Sequence, residues 1–409
     1  MKALSLPVSR IAAWAAVCLA LPAAAEWSYD PSAQTLTQGS VVLANVTANG
    51  AKLTIGNNKS NATAVALDFS TGVADGYEID RFAQDAFNGN KNVTALVLPD
   101  TLTYVGQSAF LGCSNLGGTL VLPDSLTSTG NHPFYGTGLT RVEFGSGLKT
   151  VSNWMFHQCA KLRTVGWNPA VTAVNEKGFY GCSALRSFDG EGTWHGFPTN
   201  LVTIGSAAFF LNGYANSLPN VDVRLPALRT LGSEAFRASG IRSLEVGGGV
   251  AAVGSHAARV CLKLESAVFH EGTATISDGA FGWCTSLTNL VLPSTVRKVG
   301  AITGASWGTA DLHVWWNGVP DASQVDFASA SGDNWSLLRG QTPTVHHVRW
   351  KDRAAWEAFS AAIPADYAAD NALSLPPEAK KGSVGSWGTA GNQPVLWFDL
   401  PPALVVFIR

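Results

Sequence analysis

The hydrophobic positions of this chain follow neither the 3.6-residue period of a surface helix nor a long strand alternation. From residue 87 a buried-type anchor, aromatic in all copies but one, recurs mostly every 22 to 24 residues, and the copies repeat one phrase. Val105-Gly106-Gln107-Ser108-Ala109-Phe110-Leu111-Gly112-Cys113-Ser114-Asn115-Leu116 aligns with Ile276-Ser277-Asp278-Gly279-Ala280-Phe281-Gly282-Trp283-Cys284-Thr285-Ser286-Leu287 at the Ala, Phe, Cys and Leu positions. The anchor falls at Phe87, Phe110, Phe134, Phe156, Phe179, Phe209, Phe236, Ala258 and Phe281, with spacings of 23, 24, 22, 23, 30, 27, 22 and 23. After most anchors comes a short apolar-x-apolar run, such as Leu96-Val97-Leu98, Leu120-Val121-Leu122 and Leu290-Val291-Leu292, and Pro99, Pro123, Pro226 and Pro293 end four of them. One such unit cannot bury its own Phe and Leu, so the copies must stack and bury each other. Parallel strands about 4.8 Å apart make nine or ten units a solenoid roughly 45 Å long.

These residues resemble the BspA-type leucine-rich repeat family, whose repeat reads approximately Ile-x-x-Ala-Phe-x-x-Cys-x-x-Leu-x-x-Ile-x-Leu-Pro. The resemblance covers about Ile79 to Gly300. It implies a leucine-rich-repeat solenoid, β-rich, with a parallel strand stack. It also implies a secreted or surface protein acting in adhesion or protein binding, with no catalytic motif to carry over. The chain departs from the pattern where Ala258 replaces the anchor Phe, and where Asn90, Thr137, Asn212 and Ser239 stand at the Cys position.

Outside the repeats, Lys2 and Arg10 precede an apolar run from Ile11 to Ala25 that ends in Ala23-Ala24-Ala25. That pattern predicts a signal peptide over residues 1–25, cleaved before Glu26, and hence a secreted or cell-surface protein. No other segment has the roughly 18 uninterrupted apolar residues of a membrane span. Val41 to Val46 and Lys52 to Ile55 around Asn49-Gly50 predict a hairpin, and Val65 to Phe69 a further strand, so residues 26–78 read as a β-rich N-terminal cap. The solenoid is expected over 79–300. Beyond it lie eight of the 14 Trp, a strand-like run from Val345 to Trp350 and a helical pattern from Asp352 to Ile363. Residues 301–409 therefore read as a small, Trp-rich α+β C-terminal region.

Charge and chemistry narrow the function. The formal charge is −2, with 14% charged and 46% apolar residues, which excludes a disordered chain and gives no electrostatic footprint for nucleic acid. No nucleophile elbow, phosphate loop or His-Glu-x-x-His occurs, and alternation along a strand would send His346 and His347 to opposite faces, which is poor for one metal. No catalytic residue, metal or cofactor is expected. Cys113, Cys159, Cys182, Cys261 and Cys284 each follow an anchor by three residues and read as a ladder of buried free thiols. Disulfides Cys159–Cys182 and Cys261–Cys284 are the alternative, since neighbouring repeats meet the distance a bridge tolerates.

The candidate contact residues are the charges at the middle strand positions and near them: Arg141, Glu143, Asp189, Asp222, Arg224 and Glu245. Asp189 and Glu245, two repeats apart, could pose as an acid/base pair, but Arg224 between them makes an ion-pair row the simpler reading. The two long spacings mark insertions near 190–200 and 212–220, whose aromatics Trp194 and Tyr214 complete the expected protein-binding set. The expected partner is an extracellular or surface protein. The alternative is a polysaccharide bound through the Trp-rich C-terminal region, or a purely structural surface role.

Overall fold

The computed structural model describes residues 26–190, 197–211 and 218–299, together with the backbone of four strands beyond them, Leu312–Trp316, His346–Arg349, Trp387–Ala390 and Gln393–Leu396. The expected signal peptide and the helical pattern from Asp352 to Ile363 lie outside the described residues.

Each repeat makes three passes. The anchor phrase forms a run of tight turns. In the Phe110 copy, Ala109 N–H bonds Gly106 O, Leu111 bonds Ser108 and Cys113 bonds Phe110, at 3.2–3.3 Å. The intervening N–H groups of Ser108, Phe110 and Gly112 donate instead to Asn131, Pro133 and Tyr135 of the next repeat, at 2.7–2.9 Å. Such alternation uses left-handed backbone two residues before and two after the anchor, and these positions carry it: Asp85, Ser108, His132, Trp154, Lys177, Ala207, Glu234, His256 and Gly279 before, and Gly89, Gly112, Gly136, Gln158, Gly181, Ala238, Val260 and Trp283 after. Glycine is at home at the second set because its φ is positive without a Cβ clash.

The second pass is the expected apolar-x-apolar strand. Thr119–Leu122, Arg141–Phe144, Thr164–Trp167 and Ser187–Gly190 pair in parallel, and Asp222–Leu225, Ser243–Val246, Ser266–Phe269 and Asn289–Leu292 do the same. The third pass is a two-residue strand that the sequence pattern did not disclose. It includes Thr150–Val151, Ala173–Val174, Thr203–Ile204, Thr230–Leu231, Ala252–Val253, Thr275–Ile276 and Lys298–Val299, which form one seven-stranded parallel sheet.

Between these passes runs the core. The anchor rings stack in a column, with centroids 5.2–5.7 Å apart from Phe87 through Phe110, Phe134, Phe156, Phe179 and Phe209 to Phe236. The column breaks at Ala258. At the N-terminal end Trp27 stacks on Phe69 at 4.9 Å, Phe69 meets Phe82 at 5.6 Å and Phe82 meets Phe87 at 6.2 Å, so aromatic contacts run on past the first anchor. The hairpin turns at Asn49-Gly50, joining Val46–Asn49 to Lys52–Ile55, and the latter pairs in parallel with Glu78–Phe82. The run from Val41 to Val46 is not one strand: Asn45, at φ 58°, divides it, and Val41–Leu43 pairs back onto Thr35–Gln38.

At the other end the strand sheet does not stop at residue 300. Asn289–Leu292 pairs in parallel with Leu312–Trp316, which pairs in parallel with His346–Arg349. No described helix is long and apolar enough to cross a membrane.

Candidate functional site

Two outer faces carry recognisable chemistry. On the strand face, the residues between buried apolar positions point outward, and their charges pair locally. Arg141 contacts Glu143 through its Nε, and the Glu143 carboxylate lies over Gly166 in the next strand, where any Cβ would collide with it. Asp222 accepts from Arg242 Nε at 3.0 Å and from Ser243 Oγ at 2.8 Å. The Arg242 hydrogen bonds hold its carboxyl below the usual range. Arg224 Nε lies 3.5 Å from Glu245, whose other oxygen is 3.1 Å from His270 Nε2.

The expected Asp189–Arg224–Glu245 row is only half formed. Arg224 stands in register with Glu245, but the strand of Asp189 pairs only backward, with Gly166 opposite Asp189, and belongs to a different sheet. The insertions explain the split. Phe197, from the first, is buried and packs on Phe188 at 4.8 Å, Phe209 at 5.0 Å and Phe236 at 5.5 Å, while Leu218, after the second, is buried and bonds Leu185 O through its N–H. Extra apolar residues entering the core at this level separate the two strands. Trp194 and Tyr214 themselves lie outside the described residues.

The turn face carries an aromatic feature of its own. Residues one after the anchor lie side by side in successive repeats and are aromatic over four copies, and His132 and Trp154, two before their anchors, add rings to them. Tyr135 stacks on His157 at 4.5 Å and 13°, His157 on Tyr180 at 4.6 Å and 4°, and Tyr180 meets Phe210 at 4.8 Å. Trp154 stacks on His157 at 4.7 Å and lies 5.2 Å from His132. Lys177 Nζ sits 4.0 Å above Trp154 and is tied to Glu176 at 3.1 Å. At the ladder's end Arg237 lies 4.7 Å over Phe210 and is tied to Glu234 at 2.5 Å.

All these rings except His157 are half exposed. His157 is buried among them, and among the described residues its Nδ1 has no partner. Burial, with Lys177 and His132 adding repulsion, pushes its pKa down to about 4. The imidazole is therefore neutral at pH 7 and behaves as one more ring in the stack. The ladder was visible in the aligned copies as His132, Trp154 and Lys177 in one column and Tyr135, His157, Tyr180 and Phe210 in another.

A profile of the BspA type leucine rich repeat region matches residues 80–210 and 193–303, in six copies. No curated protein matches the chain. Among solved structures, a leucine rich repeat protein of T. pallidum is similar at 19% identity, over 59% of this chain and 87% of that one, with a TM-score of 0.35. A leucine rich cell surface protein of Faecalibacterium prausnitzii is similar at 17% identity, over 80% of this chain and 97% of that one, with a TM-score of 0.36. A leucine-rich repeat protein of Bacteroides ovatus is similar at 17% identity, over 73% of this chain and 94% of that one, with a TM-score of 0.28.

Proposed function

Because the chain belongs to the BspA-type leucine-rich repeat family, we propose that it is an exported, non-catalytic protein that recognises another extracellular or surface protein. The observation that carries this reading is the ladder His132, Tyr135, Trp154, His157, Tyr180 and Phe210, flanked by Lys177 and Arg237. Tyr, Trp and Arg are the residue types that dominate binding hot spots. Their mutual stacking fixes the rotamers before a partner arrives, so little side-chain entropy remains to be lost on association. The strand-face residues Arg141, Glu143, Asp189, Asp222, Arg224 and Glu245 form a second, more polar contact zone in this account, suited to steering and register more than to affinity.

The test is capture of the chain, in parallel, on purified extracellular-matrix proteins and on insoluble polysaccharides. The reading expects saturable capture on a protein, weakened about tenfold or more by Tyr135→Ser with Tyr180→Ser, since each hot-spot side chain carries about 1–2 kcal/mol. Capture on polysaccharide alone, indifferent to these substitutions, would move the function to the Trp-rich C-terminal region.

A further inference from the structure

The ladder on the turn face is selective in what it offers a ligand. Its ring faces are largely spent on each other: Tyr135, His157 and Tyr180 stack in near-parallel planes at 4.5 and 4.6 Å, and Arg237 covers Phe210 at 4.7 Å. A sugar ring packs on an aromatic face, so this column leaves it little to rest on. Solvent meets ring edges instead, which carry the positive end of the ring quadrupole. It also meets Tyr135 and Tyr180, whose hydroxyls have no hydrogen-bond partner among the described residues. Edges and hydroxyls alike suit acceptors, carbonyl oxygens above all.

Charge narrows the ligand further. Lys177 is tied to Glu176 at 3.1 Å and Arg237 to Glu234 at 2.5 Å, and burial keeps His132 and His157 neutral at pH 7. The complement of such a charge-compensated surface is an uncharged one.

Spacing then selects a backbone. The two ring steps of 4.5 and 4.6 Å carry Tyr135 to Tyr180 through about 9 Å, with His157 buried between them. A polyproline II helix rises about 3.1 Å per residue with three residues per turn, so it returns to one side about every 9.3 Å. A β-strand returns about every 6.7 Å and an α-helix about every 5.4 Å, and neither step matches the two tyrosines. Polyproline II also has no internal hydrogen bonds, and proline lacks the N–H, so such a segment presents free carbonyls and few donors.

We propose that the ladder is a docking site for an uncharged, proline-rich segment of the partner protein, held as a polyproline II helix with carbonyls three residues apart on the Tyr135 and Tyr180 hydroxyls. The residues between them pack against His157 and Trp154. This rests on the ladder being the recognition surface and specifies what it recognises.

The experiment titrates labelled decaproline into the full chain and follows fluorescence anisotropy, with a Gly-Ser peptide of equal length as control. Saturable binding of decaproline alone is expected. Tyr135→Phe with Tyr180→Phe should weaken it about tenfold, because two hydrogen bonds go while the stacked rings stay. Raised salt and Arg224→Glu should leave it unchanged, since no charge is engaged. Absence of binding at about millimolar peptide, or binding indifferent to the two Phe substitutions, would overturn the proposal. Competition separates it from protein recognition in general. Decaproline should displace a captured matrix protein from the chain. Capture that Tyr135→Ser with Tyr180→Ser weakens, but that decaproline does not displace, would refute the proline-rich segment and leave recognition by the ladder standing.

Discussion

Val260 carries a φ of 62° at the position where four other repeats have glycine. A β-branched residue in left-handed backbone costs about 1–3 kcal/mol, more than the conformational entropy a glycine adds to the unfolded chain. Val260→Gly should therefore raise stability by about 1 kcal/mol in a denaturation curve, although it removes a half-buried side chain. His157 gives a second residue-scale expectation. Its imidazole takes up a proton near 6.5 when unfolded but not until about 4 when folded. Between those values the unfolded state binds more protons, so the contribution is complete above pH 6.5 and is lost as pH falls toward 4. Thermal melts from pH 7 to 4 should show stability falling over this window, and His157→Phe should flatten that part of the profile. None of this could be read from composition: a histidine in an aromatic column becomes a ring like its neighbours only when the repeats stack, and the stacking is a tertiary fact.

The anchor Phe is the element's main device. Phe156 is fully buried and stacks on Phe134 and Phe179 at 5.7 and 5.5 Å. Phe156→Ala should cost about 3–5 kcal/mol, from lost burial plus the cavity left between two rings that cannot close up. A urea titration read by circular dichroism measures it, and a loss below about 1 kcal/mol would show that the column is not what holds neighbouring repeats together. The column was legible because a buried aromatic at fixed spacing leaves the same mark in every copy. The two-residue strands were not, since Thr150-Val151 or Ala173-Val174 offers one buried residue and one outward residue, too little alternation to register. The split between the sheets was hidden for a different reason. The insertion containing Phe197 reads as surface loop by length, while its ring goes into the core, and periodicity carries no information about a residue outside the period.

At the scale of the molecule, a charge of −2 and short-range ion pairs leave the strand face with little net field. Arg224 is 72% and Glu245 41% exposed, so their pair contributes no more than about 1 kcal/mol to the fold. Arg224→Glu should shift the melting temperature only slightly and reduce the rate of partner capture, by opposing Glu245 with a like charge. A large loss of stability would make the strip structural instead. The ladder and the strip lie on different passes of the same repeats, and the account assigns affinity to the ladder. Hydroxyl-radical footprinting of the chain, free and bound to a captured matrix protein, tests that assignment most directly. It predicts strong protection of Tyr135, Trp154, Tyr180 and Phe210 on binding. Unchanged labelling of these four, with protection confined to the strand face or to tryptophans beyond residue 300, would contradict it.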